Sequence, residues 1–291
     1  MTAPPPLCAA HDPAPRAPQF TLPAGATDCH FHIFDRPSPQ VKERSYTAPP
    51  APHSALRHLH KTVGISRSVI VQPSVYGTDN RTTLAACKAD PAMRAIVVID
   101  EGTPAATLAR YRSHGAVGCR VNMLFSSNAR IDNLSSLASQ IADQGWHLQI
   151  LGDVSALGDS MDRFSDLPVP VVFDHFGHLP AMKSVNDPGF QALIRLLGDG
   201  KAWVKLSGAY RLGPVGAQTD RGVAKLAAAL IAANPDQIVW GSDWPHPAMT
   251  QQNMPNDGDL LDAFAGWVPD AALRQRILVD NPARLYSFDE G

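Results

Sequence analysis

Eight short apolar runs, separated by stretches with helical patterning, restrict this chain more than any other feature of its sequence. They cover about residues 27–33, 68–72, 94–100, 117–123, 146–151, 169–175, 202–207 and 237–241. Most are continuous Val, Ile, Leu and Phe rather than strict alternation, the pattern of strands buried on both faces. Helices are expected at 54–63, after a cap at Asp79 or Asn80, at 104–114 with Pro104 near the first turn, and at 134–144, 155–164, 188–197, 221–233 and 260–279. This alternation predicts an α/β chain folded as a (β/α)8 TIM barrel, one domain over residues 27–291. A doubly wound open sheet is the competing arrangement. It needs a Gly-rich phosphate loop after the first strand, and none follows.

The length of 291 residues suits one barrel, and 44% hydrophobic content supplies its core. A net charge of −2 gives no electrostatic case for nucleic acid or an anionic membrane surface. No apolar run approaches the roughly 20 residues of a membrane span. Residues 1–26, rich in Pro and Ala, lack the basic start and apolar block of a secretory signal. They are expected to form a flexible arm ahead of the barrel. Cys8, Cys29, Cys87 and Cys119 show no CxxC spacing, which fits a reduced, cytoplasmic setting. Nothing in the sequence fixes an oligomeric state.

In such a barrel, chemistry gathers at the C-terminal ends of the strands. Read there, the sequence offers His30 and His32, Gln72 and Ser74, Arg120 and Asn122, Gln149, His175, Ser207 with Arg211, and Asp243 with His246. An unpaired polar group in an apolar core costs roughly 1–3 kcal/mol, so a purely structural rim has no use for them. Alternation puts His30 and His32 on one strand face, with Cys29, Phe31 and Ile33 on the other. Two imidazoles so placed can bind a metal or an oxyanion, or move protons. The plain alternatives are a turn cap for Asp243 and a solvated charge for Arg211.

His30-Phe31-His32, Asp174-His175-Phe176-Gly177 and Gly241-Ser242-Asp243-Trp244-Pro245-His246 resemble the amidohydrolase superfamily, and within it the 2-pyrone-4,6-dicarboxylate lactonase branch. Tyr46-Thr47-Ala48-Pro49-Pro50, Val71-Gln72-Pro73-Ser74, Gly118-Cys119-Arg120-Val121-Asn122 and Ser207-Gly208-Ala209-Tyr210-Arg211 extend the likeness over roughly residues 27–287. The resemblance implies a small carboxylated lactone as substrate and catalysis without a metal. A binuclear site would want Lys or Glu on the fourth strand, where Arg120 stands, and His on the fifth, where Gln149 stands. His30, His32, His175 and Asp243 remain as a paper shell for zinc, the alternative cofactor reading. Arg120 disfavours a dication and favours an anion.

Without metal, His30, His32 and His175 are expected to donate hydrogens to the lactone carbonyl as it becomes an oxyanion. Asp243 is the expected general base, or the group that holds a histidine in place. Arg120 and Arg211 are expected to clamp a carboxylate, with Tyr46, Ser74, Asn122, Gln149 and His246 orienting the substrate. Two departures from the lactonase branch bear on specificity. Ser126 stands where that branch carries a second Arg, and Leu151 where it carries a Tyr. Losing an Arg weakens the fit to a planar dicarboxylate and turns the expectation towards the aldarolactone relatives, of the galactarolactone isomerase kind. There a substrate hydroxyl attacks the carbonyl and converts a 1,5- to a 1,4-lactone. Hydrolysis of a dicarboxylate lactone, a zinc-dependent hydrolase and a silent binding barrel are the alternatives.

Overall fold

The computed structural model describes residues 5–124 and 134–288. Its strands are β1 (Thr27–Phe31), β2 (Arg67–Val71), β3 (Met93–Val97), β4 (Ala116–Asn122), β5 (His147–Leu151), β6 (Val171–Phe173), β7 (Ala202–Leu206) and β8 (Ile238–Trp240). They pair in parallel and in sequence order. The ring closes just beyond β8. There Asp243 N–H donates to the His30 carbonyl at 2.7 Å, and His32 N–H to the Trp244 carbonyl at 2.7 Å. The expected (β/α)8 barrel is what forms.

Between and after the strands come α1 (His53–Val63), α2 (Arg81–Ala89), α3 (Ala105–Ser113), α4 (Leu134–Ala142), α5 (Val154–Leu157), α6 (Pro188–Gly198), α7 (Ala217–Ala233), α8 (Asp257–Trp267), α9 (Ala271–Gln275) and α10 (Asn281–Tyr286). Leu56, Leu59 and Val63 recur at three- and four-residue steps along α1 and bury its inner stripe. Inside the barrel, Cys29, Val69, Val71, Ile96, Val172, Val239 and Tyr286 form an apolar floor. The polar side chains of the strand ends stand above it.

The elements differ from expectation where backbone geometry intervenes. The register of β1 against β2 shifts between Asp28 and Phe31. That irregularity lets Cys29 join the floor although His30 also faces inward, so the simple alternation fails at this point. The helix expected at 155–164 is only the turn α5, followed by 3-10 geometry over Gly158–Asp166. β6 stops at Phe173 because His175 and Phe176 take left-handed backbone, with φ of 51° and 58°. Asn80 precedes α2 without capping it by a side-chain bond. Its amide instead ties to the backbone of Val98, accepting and donating at 3.0 and 2.7 Å.

From Pro5 on, the N-terminal segment runs along the barrel. Cys8 N–H donates to the Thr47 carbonyl, and Ala9 N–H to the Met249 carbonyl, both at 3.0 Å. Arg16 pairs with Asp259 and Asp262 of α8, and His11 packs on Trp244 with ring centroids 4.9 Å apart. The four cysteines are unpaired. Among the described residues, no helix is long and apolar enough to cross a membrane.

Candidate active site

At the C-terminal mouth of the barrel lies a cavity of about 220 Å³. His32, His175 and Asp243 line it, with Tyr46, Ser74, Arg120, Asn122 and Arg211 on its walls. Six elements and loops thus bring together side chains that lie far apart in sequence. Ser45, Leu151 and His178 also line the cavity and were not singled out from sequence as binding groups. Ser126 lies outside the described residues.

Three expected site residues do not line the cavity. His30 is fully buried beneath it, and only its Nε2 is directed upward, 3.7 Å from Asp243 Oδ1. Gln149 lies deeper in the barrel and spends its amide there. Its Nε2 donates to Asp174 Oδ2 at 3.1 Å, and its Oε1 accepts from Lys205 Nζ at 2.7 Å. His246 lies behind Asp243 and is fully buried. Left-handed backbone at Asp243 and His246, φ 63° and 59°, turns its ring away from the mouth. Gln149 and His246 therefore support the site from below and behind, without reaching its cavity.

Asp243 is the centre of the geometry. Its Oδ2 accepts from Arg211 Nε at 2.5 Å and from the Tyr210 hydroxyl at 2.7 Å. Its Oδ1 faces His32 Nε2 at 3.7 Å as well as His30, and His175 Nε2 is 4.0 Å from Oδ2. Burial opposes ionisation of Asp243, but Arg211 and then His175, His32 and His30 outweigh it. They hold its carboxyl well below the usual carboxylate range. Behind it, the Tyr210 oxygen is 3.0 Å from His246 Nδ1, and His246 Nε2 faces Asp257 Oδ1 at 3.3 Å.

The three site histidines differ in what they can offer. His32 Nδ1 is 2.8 Å from the Val71 carbonyl, which only accepts, so that nitrogen carries a hydrogen. With Nδ1 so occupied, Nε2 is the nitrogen that faces Asp243, at 3.7 Å. His175 Nδ1 is 2.8 Å from the Ser207 hydroxyl, which can serve either way. An added Cβ on Gly208 would come within 2.7 Å of His175 Nδ1, and Gly208 takes φ +56°, so glycine admits the ring here. Burial lowers the pKa of His30 to about 4 and that of His175 well below its usual value, which keeps both neutral at pH 7.

Sequence reasoning missed Lys205. It is fully buried, with Nζ 2.9 Å from the Cys29 carbonyl and 3.5 Å from Asp174 Oδ1. Its only sequence signal is a charge inside the apolar run Ala202-Trp203-Val204-Lys205-Leu206. Asp174, which the sequence marked only as part of a motif, also accepts from Arg120 Nε at 3.1 Å. Two carboxylates and three cations therefore surround the histidines.

Among the described residues, two trios are close enough to hold a divalent cation: His30, His32 and Asp243, and His30, Asp174 and His175. Their chemistry fits it less well. Arg211 already neutralises Asp243, and Lys205 Nζ lies 3.4 Å from His30 Nδ1, so the ion would meet concentrated positive charge. A second metal has no ligand from β4 or β5, where Arg120 and Gln149 stand.

Residues 27–288 match the family model described as Amidohydrolase. The chain is 34% identical to a 2-pyrone-4,6-dicarboxylate hydrolase of Comamonas testosteroni, over 95% of this chain and 94% of that protein. It is 30% identical to a D-galactarolactone isomerase of Agrobacterium fabrum, over 94% of each. An apo crystal structure from Agrobacterium tumefaciens superposes with a TM-score of 0.85 at 28% identity, covering 93% of this chain and 98% of that one. With the barrel, the histidine rim and the match over nearly its whole length, this chain belongs to the amidohydrolase family of enzymes.

Proposed function

We propose that the enzyme acts, without a metal, on a small carboxylated sugar lactone, and that it isomerises an aldarolactone of the galactarolactone type from the 1,5- to the 1,4-lactone. The observation that carries this is the ionised Asp243 facing neutral histidines in a small cavity walled by two arginines. Relatives named for lactone hydrolysis and lactone isomerisation support the substrate class.

In this reading, a substrate hydroxyl attacks the lactone carbonyl carbon. Asp243 accepts the proton of that hydroxyl. His30 and His175 donate hydrogens to the carbonyl oxygen as it becomes an oxyanion. When the tetrahedral intermediate collapses, the old ring C–O bond breaks. Asp243 then returns the proton to the departing oxygen, so no water is consumed. The Arg120 guanidinium and the free edge of Arg211 pair with the substrate carboxylate. Tyr46, Ser74 and Asn122 orient its hydroxyls. Leu151 stands in the cavity wall where the lactonase branch has a tyrosine, so this chain lacks that phenol hydroxyl beside the substrate. The free thiols fit a cytoplasmic setting.

A zinc-dependent hydrolase is the second reading. It is favoured by His32, whose Nδ1 bond to the Val71 carbonyl leaves Nε2 as the nitrogen aimed at the cluster. Bound there by His30, His32, His175 and Asp243, zinc would polarise the carbonyl as a Lewis acid.

The test is a proton NMR time course in H₂¹⁸O, in metal-stripped buffer, with aldarolactones and 2-pyrone-4,6-dicarboxylate. A new lactone without ¹⁸O is the expected outcome. Label in an open-chain acid would show water as the nucleophile and make the enzyme a lactonase. Activity that appears only with added zinc would establish the second reading, and inertness towards every lactone would sink both lactone readings.

A further inference from the structure

Lys205 is a fully buried lysine against a site histidine, away from the cavity wall. An ammonium carries three hydrogens and accepts none. Three acceptors surround Nζ in hydrogen-bonding geometry: Gln149 Oε1 at 2.7 Å, the Cys29 carbonyl at 2.9 Å and His30 Nδ1 at 3.4 Å. Asp174 Oδ1 lies 3.2 Å from the same His30 nitrogen and 3.5 Å from Nζ, so it competes with Lys205 for Nδ1: a hydrogen on Nδ1 would go to Asp174, and a bare Nδ1 would accept from Lys205. His30 Nε2 is buried and has no hydrogen-bond partner among the described residues.

We propose that Lys205 is a positioning residue that sets the tautomer of His30. By donating to Nδ1 it keeps the single imidazole hydrogen on Nε2, directed up towards Asp243 and the cavity above. The ring then enters the reaction as a ready donor, with no reorganisation at the moment charge develops. The same hydrogen occupies the lone pair a metal would need, so one buried lysine separates a donor histidine from a ligand histidine. The kinetic consequence rests on the reading of His30 as an oxyanion donor, but the tautomer does not.

The test combines ¹⁵N-histidine NMR with kinetics on the aldarolactone. In the unaltered enzyme at pH 7, the His30 signals, assigned by their loss in His30→Gln, are expected to show hydrogen on Nε2 and a bare Nδ1. In Lys205→Met, the hydrogen should move to Nδ1, towards Asp174. There kcat should fall about 10–100-fold with KM within about twofold, and retention of added zinc should rise by mass spectrometry. Hydrogen on Nδ1 in the unaltered enzyme overturns the proposal, whether or not Lys205→Met folds. So does Lys205→Met with an unmoved tautomer. An Nε2 hydrogen in an enzyme inert to every lactone would leave the tautomer assignment standing and reject the reading of function.

Discussion

At the scale of single residues, burial decides which groups are charged. Asp243 is the proton acceptor in the proposed reaction, and Asn at that position keeps the shape but cannot take the proton. Asp243→Asn should lower kcat by roughly 10²–10⁴-fold with little change in KM, measured by the NMR time course. The buried histidines also set the response to acid. Burial first, with Lys205, lowers the pKa of His147 to about 3, as burial lowers that of His30 to about 4. In the unfolded chain both take up protons near pH 6.5, so below that pH the unfolded state binds more protons. Each histidine then removes about 1.4 kcal/mol of stability per pH unit as pH falls from about 6.5 towards its folded value. Asp174 and Asp243, held low, withdraw their contribution only below about pH 4. Urea midpoints should therefore decline between pH 7 and 4.5, and His147→Gln should flatten that decline. A flat profile would contradict the buried neutral imidazoles.

At the scale of elements, the contact between β1 and the end of β8 matters most, because it closes the barrel and places His30 under Asp243. Asp28 takes part in the closure, accepting from Ser242 N–H at 2.9 Å and from the Ser242 hydroxyl at 2.6 Å. Gly241 lies so near β1 that a Cβ there would stand 2.6 Å from His30 Cβ and 2.7 Å from its backbone nitrogen. Backbone cannot yield there without opening the seam. Gly241→Ala should therefore cost about 1–3 kcal/mol in urea unfolding and lower kcat through the displaced histidine. A variant with unchanged midpoint and rate would show that the seam tolerates the shift.

At the scale of the whole molecule, the N-terminal segment links two walls of the cavity mouth, the Tyr46–Thr47 loop and the loop carrying Met249. The Arg16 ion pairs are partly exposed and add little; the backbone bonds and the His11–Trp244 contact do more. Removing residues 1–20 should lower Tm by about 5 °C and raise KM as the mouth loosens, measured by calorimetry and steady-state kinetics. The barrel itself was legible in the sequence. Eight apolar runs at regular spacing have few ways to bury both faces, and the rim then follows from chain direction, which is why His32, His175, Asp243 and the arginines could be named in advance. Depth was not legible. Gln149 and His246 read as rim residues because sequence shows position along a strand or turn but not whether a side chain ends at the mouth or below it. Lys205 escaped notice because its meaning lies entirely in partners contributed by β1, β5 and β6. Periodicity is local, so the sequence alone determined the strands, most of the helices, their order and most of the polar side chains that line the cavity. Hydrogen-bond direction, burial and charge compensation arise only where distant strands meet, so the tertiary structure alone decided which groups face the cavity and which support them from beneath.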